Sequence, residues 1–407
     1  MSGRVDGPRA CRPEELPQVV ELIDAIFRAG SDQHIATDYP LVFTPLHAYR
    51  SRVVAVDGRI VAHVPAAPRI VAAGPDRFGV AMIAPTATHP DYRRRGYATQ
   101  CLRDAHRVIV AHGCPVAALW TERATFPFYR HSDWEAVASQ GEAFMLTAAD
   151  RDRFRPAPFA VSTQGDDEQG MAELLALHRA EPWRLERDEQ QARALFRLPK
   201  ITVYRADDAG VRTGAGRLRG YLVLGAGTNK PGIIEATGDP VAVEHLLHHV
   251  LGSRTDGAPV QVVPPPARPD GVPSTLSAVI AGRGAGRRIT LEEAAGVGLQ
   301  MMRLFSLPRF LQAIGGYLRQ AAASGVEGAL TLGCREDDQA VRVRLAGGEA
   351  SVEQAGPAAA QMLGRRQLAQ VLFGHHPGDE PPPLLDDTGL AAALFPYRLP
   401  LWELDHC

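Results

Sequence analysis

The stretch Thr86-Ala-Thr-His-Pro-Asp-Tyr-Arg93-Arg94-Arg95-Gly96-Tyr97-Ala98 decides how the chain is read. It follows an apolar run, 79–88 (GVAMIAPTAT), that reads as a buried strand, and a helical pattern from about 97 to 112 comes after it. A turn at such a junction presents successive backbone N–H groups, and the helix after Gly96 adds unpaired N-terminal donors and the positive end of its dipole. Together these make a cradle for a pyrophosphate. Gly96 and Ala98 lack bulk, so phosphate oxygens can approach the backbone, while Arg93, Arg94 and Arg95 supply positive charge. Thr86, Ala87 and Thr88 lead into the turn with backbone groups that an extended, amide-bearing ligand can pair with like an added strand. A bare R-x-x-G-x-A is also what a solvated basic turn looks like. The order of strand, turn, helix and a further strand at 116–121 (VAALWT) favours the cradle.

On the N-terminal side, Leu16, Val19, Val20, Ile23, Ile26 and Phe27 recur at helical spacing and predict a helix over about 13–28. Runs at 52–56, 60–65 and 68–72 read as strands, with Asp57-Gly58 and Gly74-Pro75-Asp76 as turns. A hairpin-like stretch at 134–147 closes this unit near residue 150. Beyond a charged, Pro-containing linker, a second unit shows a helical region at 167–197 and strands at 200–205, 219–224 and 232–237. A helix at 240–251 and a strand at 259–263 complete it. The order loosely repeats that of the first unit. After the Pro-rich stretch 264–273, a third unit carries a helix at 307–323, an antiparallel meander at 328–333, 339–345 and 349–354, and helices at 357–363 and 365–373. The fold class is α/β (α+β), with domains expected at 1–150, 151–290 and 291–407. The last stretch, LFPYRLPLWELDHC, is apolar, which leaves two readings open: packing on its own domain, or docking where the terminus does something.

Composition narrows the function classes. The 407 residues are 45% hydrophobic and 22% charged, with a formal net charge of −2. That balance offers no electrostatic reason for nucleic acid or an anionic membrane as partner. No run reaches the ~18 apolar residues of a bilayer span, and the charged start has no apolar signal region, so a cytoplasmic protein is expected. Cys11, Cys101, Cys114, Cys334 and Cys407 form no CxxC pair and no metal spacing with histidine. They read as reduced thiols, mostly small buried hydrophobes, and no metal is expected.

Residues 79–145 resemble the acetyl-CoA-binding half of the GNAT N-acetyltransferase superfamily. The resemblance implies acetyl-CoA as co-substrate, held by Thr86, Ala87, Thr88, Arg93, Arg94, Arg95, Gly96, Tyr97 and Ala98. GNAT domains often place a tyrosine at the start of a Y-x-x-x-G-F/Y turn, where its hydroxyl protonates the departing thiolate. Here Tyr129 holds that place, with Asp133 where glycine is usual and Trp134 as the aromatic. Asp tolerates left-handed backbone better than most residues.

The whole arrangement is similar to the Eis-type (enhanced intracellular survival) acetyltransferases: tandem GNAT folds followed by a sterol-carrier-protein-like α+β domain. In that family the second GNAT unit lacks the cofactor turn, and here the equivalent step, Ile233 to Val241, has no basic residue and carries Glu235 and Asp239. The resemblance further implies a hexamer and acetylation of amines of polyamine antibiotics such as aminoglycosides, by direct attack on the thioester. It also implies that the terminal carboxylate, here on Cys407 where phenylalanine is usual, enters the first domain's site as base. An α-carboxylate ordinarily titrates at about 3.3–3.7, so it needs burial to serve as a base, or else only orients the amine. Rival bases are Glu122, His131 and His89. Asp24, Asp32, Glu403 and Asp405 are candidate contacts for a cationic acceptor, with solvated surface carboxylates as the plain alternative. The other functional class is a non-catalytic acyl-CoA sensor or lipid binder on the same scaffold.

Overall fold

The computed structural model describes the chain except residues 1–2, 32, 139–142, 209–216, 226–231, 255–256, 291–292, 295–297, 377–378, 381, 383–388 and 407. It divides into two compact units. One comprises Met1–Ser139 with Leu299–Tyr397, the other Gln140–Gly298 with Arg398–His406.

In the first unit, β1 (Val5–Ala10) leads into α1 (Leu16–Phe27), which buries Leu16, Val19, Leu22 and Ile23. Their spacing by three and four residues puts them on one face. A short α2 (Ile35–Asp38) follows, then β2 (Ser51–Val56) and β3 (Arg59–Pro65). Asp57 and Gly58 join these two strands at φ of 51° and 81°, the left-handed pair that a tight hairpin turn demands. A second hairpin joins β4 (Ala67–Ala73) to β5 (Asp76–Met82). Next come β6 (Ala87–Thr88), α3 (Tyr97–Ala111), β7 (Val116–Thr121), α4 (Phe126–Arg130) and β8 (Glu135–Ala136). Cys101, Leu102, Ala105 and Ile109 of α3 pack with Val54, Val61, Val64 and Leu119 in the core.

The second unit begins with β9 (Ala143–Leu146), β10 (Phe159–Thr163), α5 (Glu168–Ala180), β11 (Trp183–Leu185) and α6 (Glu189–Phe196). It continues through β12 (Ile201–Asp208), β13 (Leu218–Gly225), β14 (Gly232–Gly238), α7 (Pro240–Ser253), β15 (Val260–Val262), α8 (Thr275–Gly282) and β16 (Arg287–Ile289). Its sheet runs β10-β12-β13-β14-β15-β9-β16, and β14 pairs in parallel with β15 across α7. That repeats the strand–helix–strand step of β5, α3 and β7.

The chain returns to the first unit with β17 (Leu299–Leu304), α9 (Leu307–Ala313), α10 (Gly315–Ala323), β18 (Gly328–Cys334), β19 (Gln339–Ala346) and β20 (Glu349–Ala355). It ends there with β21 (Gln361–Leu363), α11 (Arg365–Phe373) and α12 (Leu390–Leu394). Strand β17 lies antiparallel beside β7, and β8 pairs with β17 at Met301 and Met302.

Four expectations are corrected. The 134–147 hairpin does not form: β8 pairs with β17, whereas β9 pairs with β15 and β16 in the other unit. The helical region 167–197 is two helices with β11 between them. The 307–323 helix divides at Ile314, because the Asp76 carboxylate accepts from the N–H of Gly316 (2.6 Å) and of Tyr317 (2.8 Å), capping α10 afresh. Residues 361–363, read as helical, form β21, parallel to β18.

Candidate active site

The site opens where two parallel strands part. Strands β5 and β7 pair through Val80↔Val116, Ala81↔Ala117 and Met82↔Ala118, and the last bond runs from Ile83 N–H to the Ala118 carbonyl (3.1 Å). Beyond Pro85 the chain crosses to β3, where Ala87 pairs with His63 and Thr88 with Ala62. Strand β7 continues to Thr121, and among the described residues no strand pairs with 119–121 on the vacated side. The gap leaves backbone groups for an inserted chain-like ligand.

The turn at its mouth is built by its own side chains. His89 caps the helical turn at Pro90–Tyr92, its Nδ1 accepting from Asp91 N–H (3.3 Å) while Nε2 meets Arg59 Nη2 (2.9 Å). A neutral imidazole accepts at one nitrogen only, so His89 takes one of these two donors at a time, and in either tautomer it braces the loop. Arg93 Nε donates to the Thr88 carbonyl (3.4 Å), and Arg95 Nη2 donates to the Asp91 carbonyl (3.0 Å) with its guanidinium 5.0 Å from the Tyr92 ring centroid. Arg94 is exposed, has φ 62°, and makes no hydrogen bond or ion pair among the described residues. The three arginines therefore divide the work: two hold the loop, and Arg94 is the available cation.

Gly96 is the N-cap residue of α3, with φ 79° and no side-chain cap on the helix. A Cβ added to Gly96 would meet only Gln100 Nε2, at 3.9 Å, so the space in front of the helix is open. Tyr97 and Ala98, half-buried, begin the first turn. The second unit's equivalent helix, α7, is different. Asp239 caps it by accepting from Val241 N–H (2.9 Å) and is itself paired with Arg219 (2.6 Å). A carboxylate already occupies the place of an anion there. Glu235 does not carry that argument, because Arg187 neutralises it through bonds of 2.9 and 2.5 Å.

Tyr129, on α4, is 7% exposed. Burial raises the pKa of its phenol and the Thr86 side chain pulls it down. The Thr86 hydroxyl oxygen is itself buried and faces the Tyr129 phenol. Behind Tyr129 the turn closes as read: Asp133 is left-handed (φ 63°), and Trp134 is fully buried with its ring 6.3 Å from that of Tyr129. Arg303 fastens the turn by donating to the Ser132 carbonyl (2.9 Å) and to Asp133 Oδ2 (3.4 Å).

Asp24, in the first unit, accepts from Ile35 N–H (2.8 Å) and meets His34 Nδ1 (3.2 Å). Asp405, in the second unit, is 1% exposed and bonded to Arg187 Nη2 at 2.7 Å. Both are committed inside their own units. Asp32, Cys407 and the Glu403 side chain lie outside the described residues. Glu122 and His131 are exposed. One participant was not read from the sequence: His63, fully buried on β3, whose Nδ1 meets the Pro85 carbonyl (3.2 Å) and whose Nε2 meets Ser51 Oγ (2.9 Å). It pins the chain just before Thr86. A histidine inside the apolar run 60–65 was the available signal.

No helix among the described residues is long and apolar enough to cross a membrane. Among the described residues no cluster of His, Cys, Asp and Glu could hold a metal ion.

Splayed parallel strands, a basic turn onto an uncapped helix and a buried tyrosine all lie in the first unit. Residues 8–137 match the family model described as an acetyltransferase (GNAT) domain, which supports an N-acetyltransferase enzyme. No curated protein matches the chain. Among solved structures, a GCN5-related N-acetyltransferase from Anabaena variabilis is similar at 17% identity and TM-score 0.62, covering 91% of this chain and 90% of that one. A probable N-acyltransferase from Enterococcus faecalis is similar at 15% identity and TM-score 0.68, covering 98% and 97%. Eis1 from Mycobacterium abscessus is similar at 14% identity and TM-score 0.52, covering 90% and 89%. These likenesses are of fold.

Proposed function

We propose that the first unit transfers an acetyl or related acyl group from its coenzyme A thioester to an amine of a small molecule, by direct attack. The observation that supports this best is the contrast between α3 and α7: the helix N-terminus beside the splayed strands is uncapped and faces open space next to a free Arg94, whereas its counterpart is filled by Asp239. Bound acetyl-CoA would supply the thioester. Arg94 and the first-turn N–H groups of Gly96, Tyr97 and Ala98 would hold its pyrophosphate, with Arg93 and Arg95 shaping the loop. Thr86, Ala87 and Thr88 would take the pantetheine amides and bring the Thr86 hydroxyl to the thioester end. Tyr129 would hold a proton at its phenol for the departing sulfur. The site would serve one acetyl-CoA per chain.

For the acceptor, the Eis-type resemblance suggests a polyamine or aminoglycoside, drawn in by carboxylates. Asp24 and Asp405 are internally paired, so that reading rests on Asp32 and Glu403 alone, and an amine without clustered positive charge fits as well. A sterol-carrier-like role for the meander β18–β20, a Cys407 carboxylate as base or orienter, and a hexameric assembly also belong to this proposal. Calorimetry with acetyl-CoA tests its centre. One site per chain, lost in a Gly96→Glu variant that still melts cooperatively but at lower temperature, because a side chain at φ 79° costs about 1–2 kcal/mol, is the expected result; two sites, or unaltered affinity in the variant, overturns it. Thiol release from acetyl-CoA with a panel of amines separates an enzyme from a silent acyl-CoA sensor, which binds without releasing thiol.

A further inference from the structure

The second unit holds a cavity of about 160 Å³ that the chemistry above does not use. All of its lining belongs to that unit. Much of its wall is proline: Pro182, Pro265, Pro266, Pro273 and Pro400. Proline fixes its own backbone and offers no N–H, so the wall is stiff and mostly apolar. The Pro-rich stretch 264–273, legible in the sequence only as a rigid linker, is therefore the side of a pocket. Its bend is held by Arg268, which bonds Asp270 through Nη2 at 2.5 Å and Nε at 3.1 Å.

Two indoles face the space, Trp183 of β11 and Trp402, the latter 6% exposed and seated in the unit's core. Polar groups are few and of differing sign. Arg398 is half-buried and has no hydrogen bond or ion pair among the described residues. Ser274 and Thr275 bring the N-terminus of α8, a second positive element. Glu181 lines the same space, its carboxylate accepting from the Thr237 hydroxyl. Burial raises the pKa of that carboxyl, as expected of a carboxylate without a cationic partner in contact. Thus an unpaired guanidinium and an incompletely compensated carboxylate share one small, aromatic, stiff-walled cavity. Each leaves a charge that a ligand of opposite sign would meet.

We propose that this cavity binds a small aromatic amino acid or close analogue, with its carboxylate on Arg398, its ammonium at Glu181, and its ring between Trp183 and Trp402. The volume falls well under the roughly 300–1,000 Å³ of drug-sized pockets, which excludes a multi-ring polycation or a lipid chain. The paired Arg268 contributes shape and leaves Arg398 as the anion's partner.

The test uses the full chain, with tryptophan fluorescence and calorimetry as readouts and three probes: L-phenylalanine, 3-phenylpropionate without the amine, and phenethylamine without the carboxylate. L-phenylalanine should bind most tightly. Arg398→Gln should weaken L-phenylalanine and 3-phenylpropionate roughly tenfold or more while leaving phenethylamine unchanged, and Glu181→Gln should weaken L-phenylalanine and phenethylamine while leaving 3-phenylpropionate unchanged. Acetyl-CoA binding should be unchanged in both, which shows that the variants are folded. Absence of binding by all three probes at millimolar concentration overturns the proposal. So does L-phenylalanine binding that neither substitution alters.

Discussion

Tyr129 shows how one side chain's surroundings set its use. A phenol raised by burial stays protonated through neutral and mildly alkaline pH, so the proton is available wherever the enzyme is assayed. Tyr129→Phe should lower turnover by about 10²–10⁴-fold with little change in acetyl-CoA affinity, read from steady-state rates beside calorimetry. Full activity in that variant would mean that another group protonates the sulfur. Buried histidines make the opposite use of burial. His63 and His106 are held at about 3 and His178 at about 4. The unfolded chain protonates these residues near 6.5 and the folded chain does not, so stability falls as pH drops below about 6.5. Each contributes about 1.4 kcal/mol per pH unit in that window. Denaturant midpoints measured from pH 7.5 to 5 should fall, and less steeply in His106→Gln, where the amide oxygen can still accept from Trp134 Nε1 as the imidazole does at 3.1 Å. An equal slope in both proteins would assign the acid sensitivity elsewhere.

At the scale of elements, the two strand–helix steps differ in one residue's chemistry. Asp239 satisfies the first turn of α7 as Gly96 leaves that of α3 open. Asp239→Ala should therefore cost about 1 kcal/mol of stability and leave Arg219 with Asp208 as its partner, yet create no second acetyl-CoA site, since no basic loop like Arg93–Arg95 accompanies it. Two sites by calorimetry in that variant would show that the cap alone silences the step. The cradle was legible because a strand, a basic turn, a glycine and a helix are local signals, and the strand at 116–121 was read to the residue. Pairing is not local. Alternating residues at 135–136 and 143–146 mark both runs as strands, but nothing in them says that they join different sheets. The break at Ile314 was hidden likewise, because its cause, the Asp76 carboxylate, lies far off in the chain. Gly316 was the trace: a Cβ there would come within 2.5 Å of Pro75 Cγ.

At the scale of the whole chain, the apolar tail separates two roles that the sequence left open. Leu399, Leu401 and Leu404 are buried, Trp402 sits in the second unit's core, and Asp405 shares the Arg187 guanidinium with Glu235. That cluster sets one buried cation between two carboxylates, with the Tyr221 hydroxyl donating to Glu235 at 2.5 Å and the Trp402 N–H donating to Asp405 at 3.4 Å. Arg398–His406 thus pack with Gln140–Gly298 in the second unit and not with Leu299–Tyr397, and the Cys407 carboxylate is the group of the tail proposed above to act on the amine. Removing residues 398–407 takes away Trp402 and one of the two carboxylates, and should lower the melting transition by an amount equivalent to a few kcal/mol. A tag appended after Cys407 disturbs neither group and should leave the melting curve and acetyl-CoA affinity as they were. If the carboxylate on Cys407 takes the amine's proton or orients the amine, the same tag should abolish turnover, while Cys407→Ser keeps most of it, because the working group is the main-chain carboxylate and not the thiol. A tagged protein with full activity would remove that carboxylate from the mechanism and leave the tail a structural one.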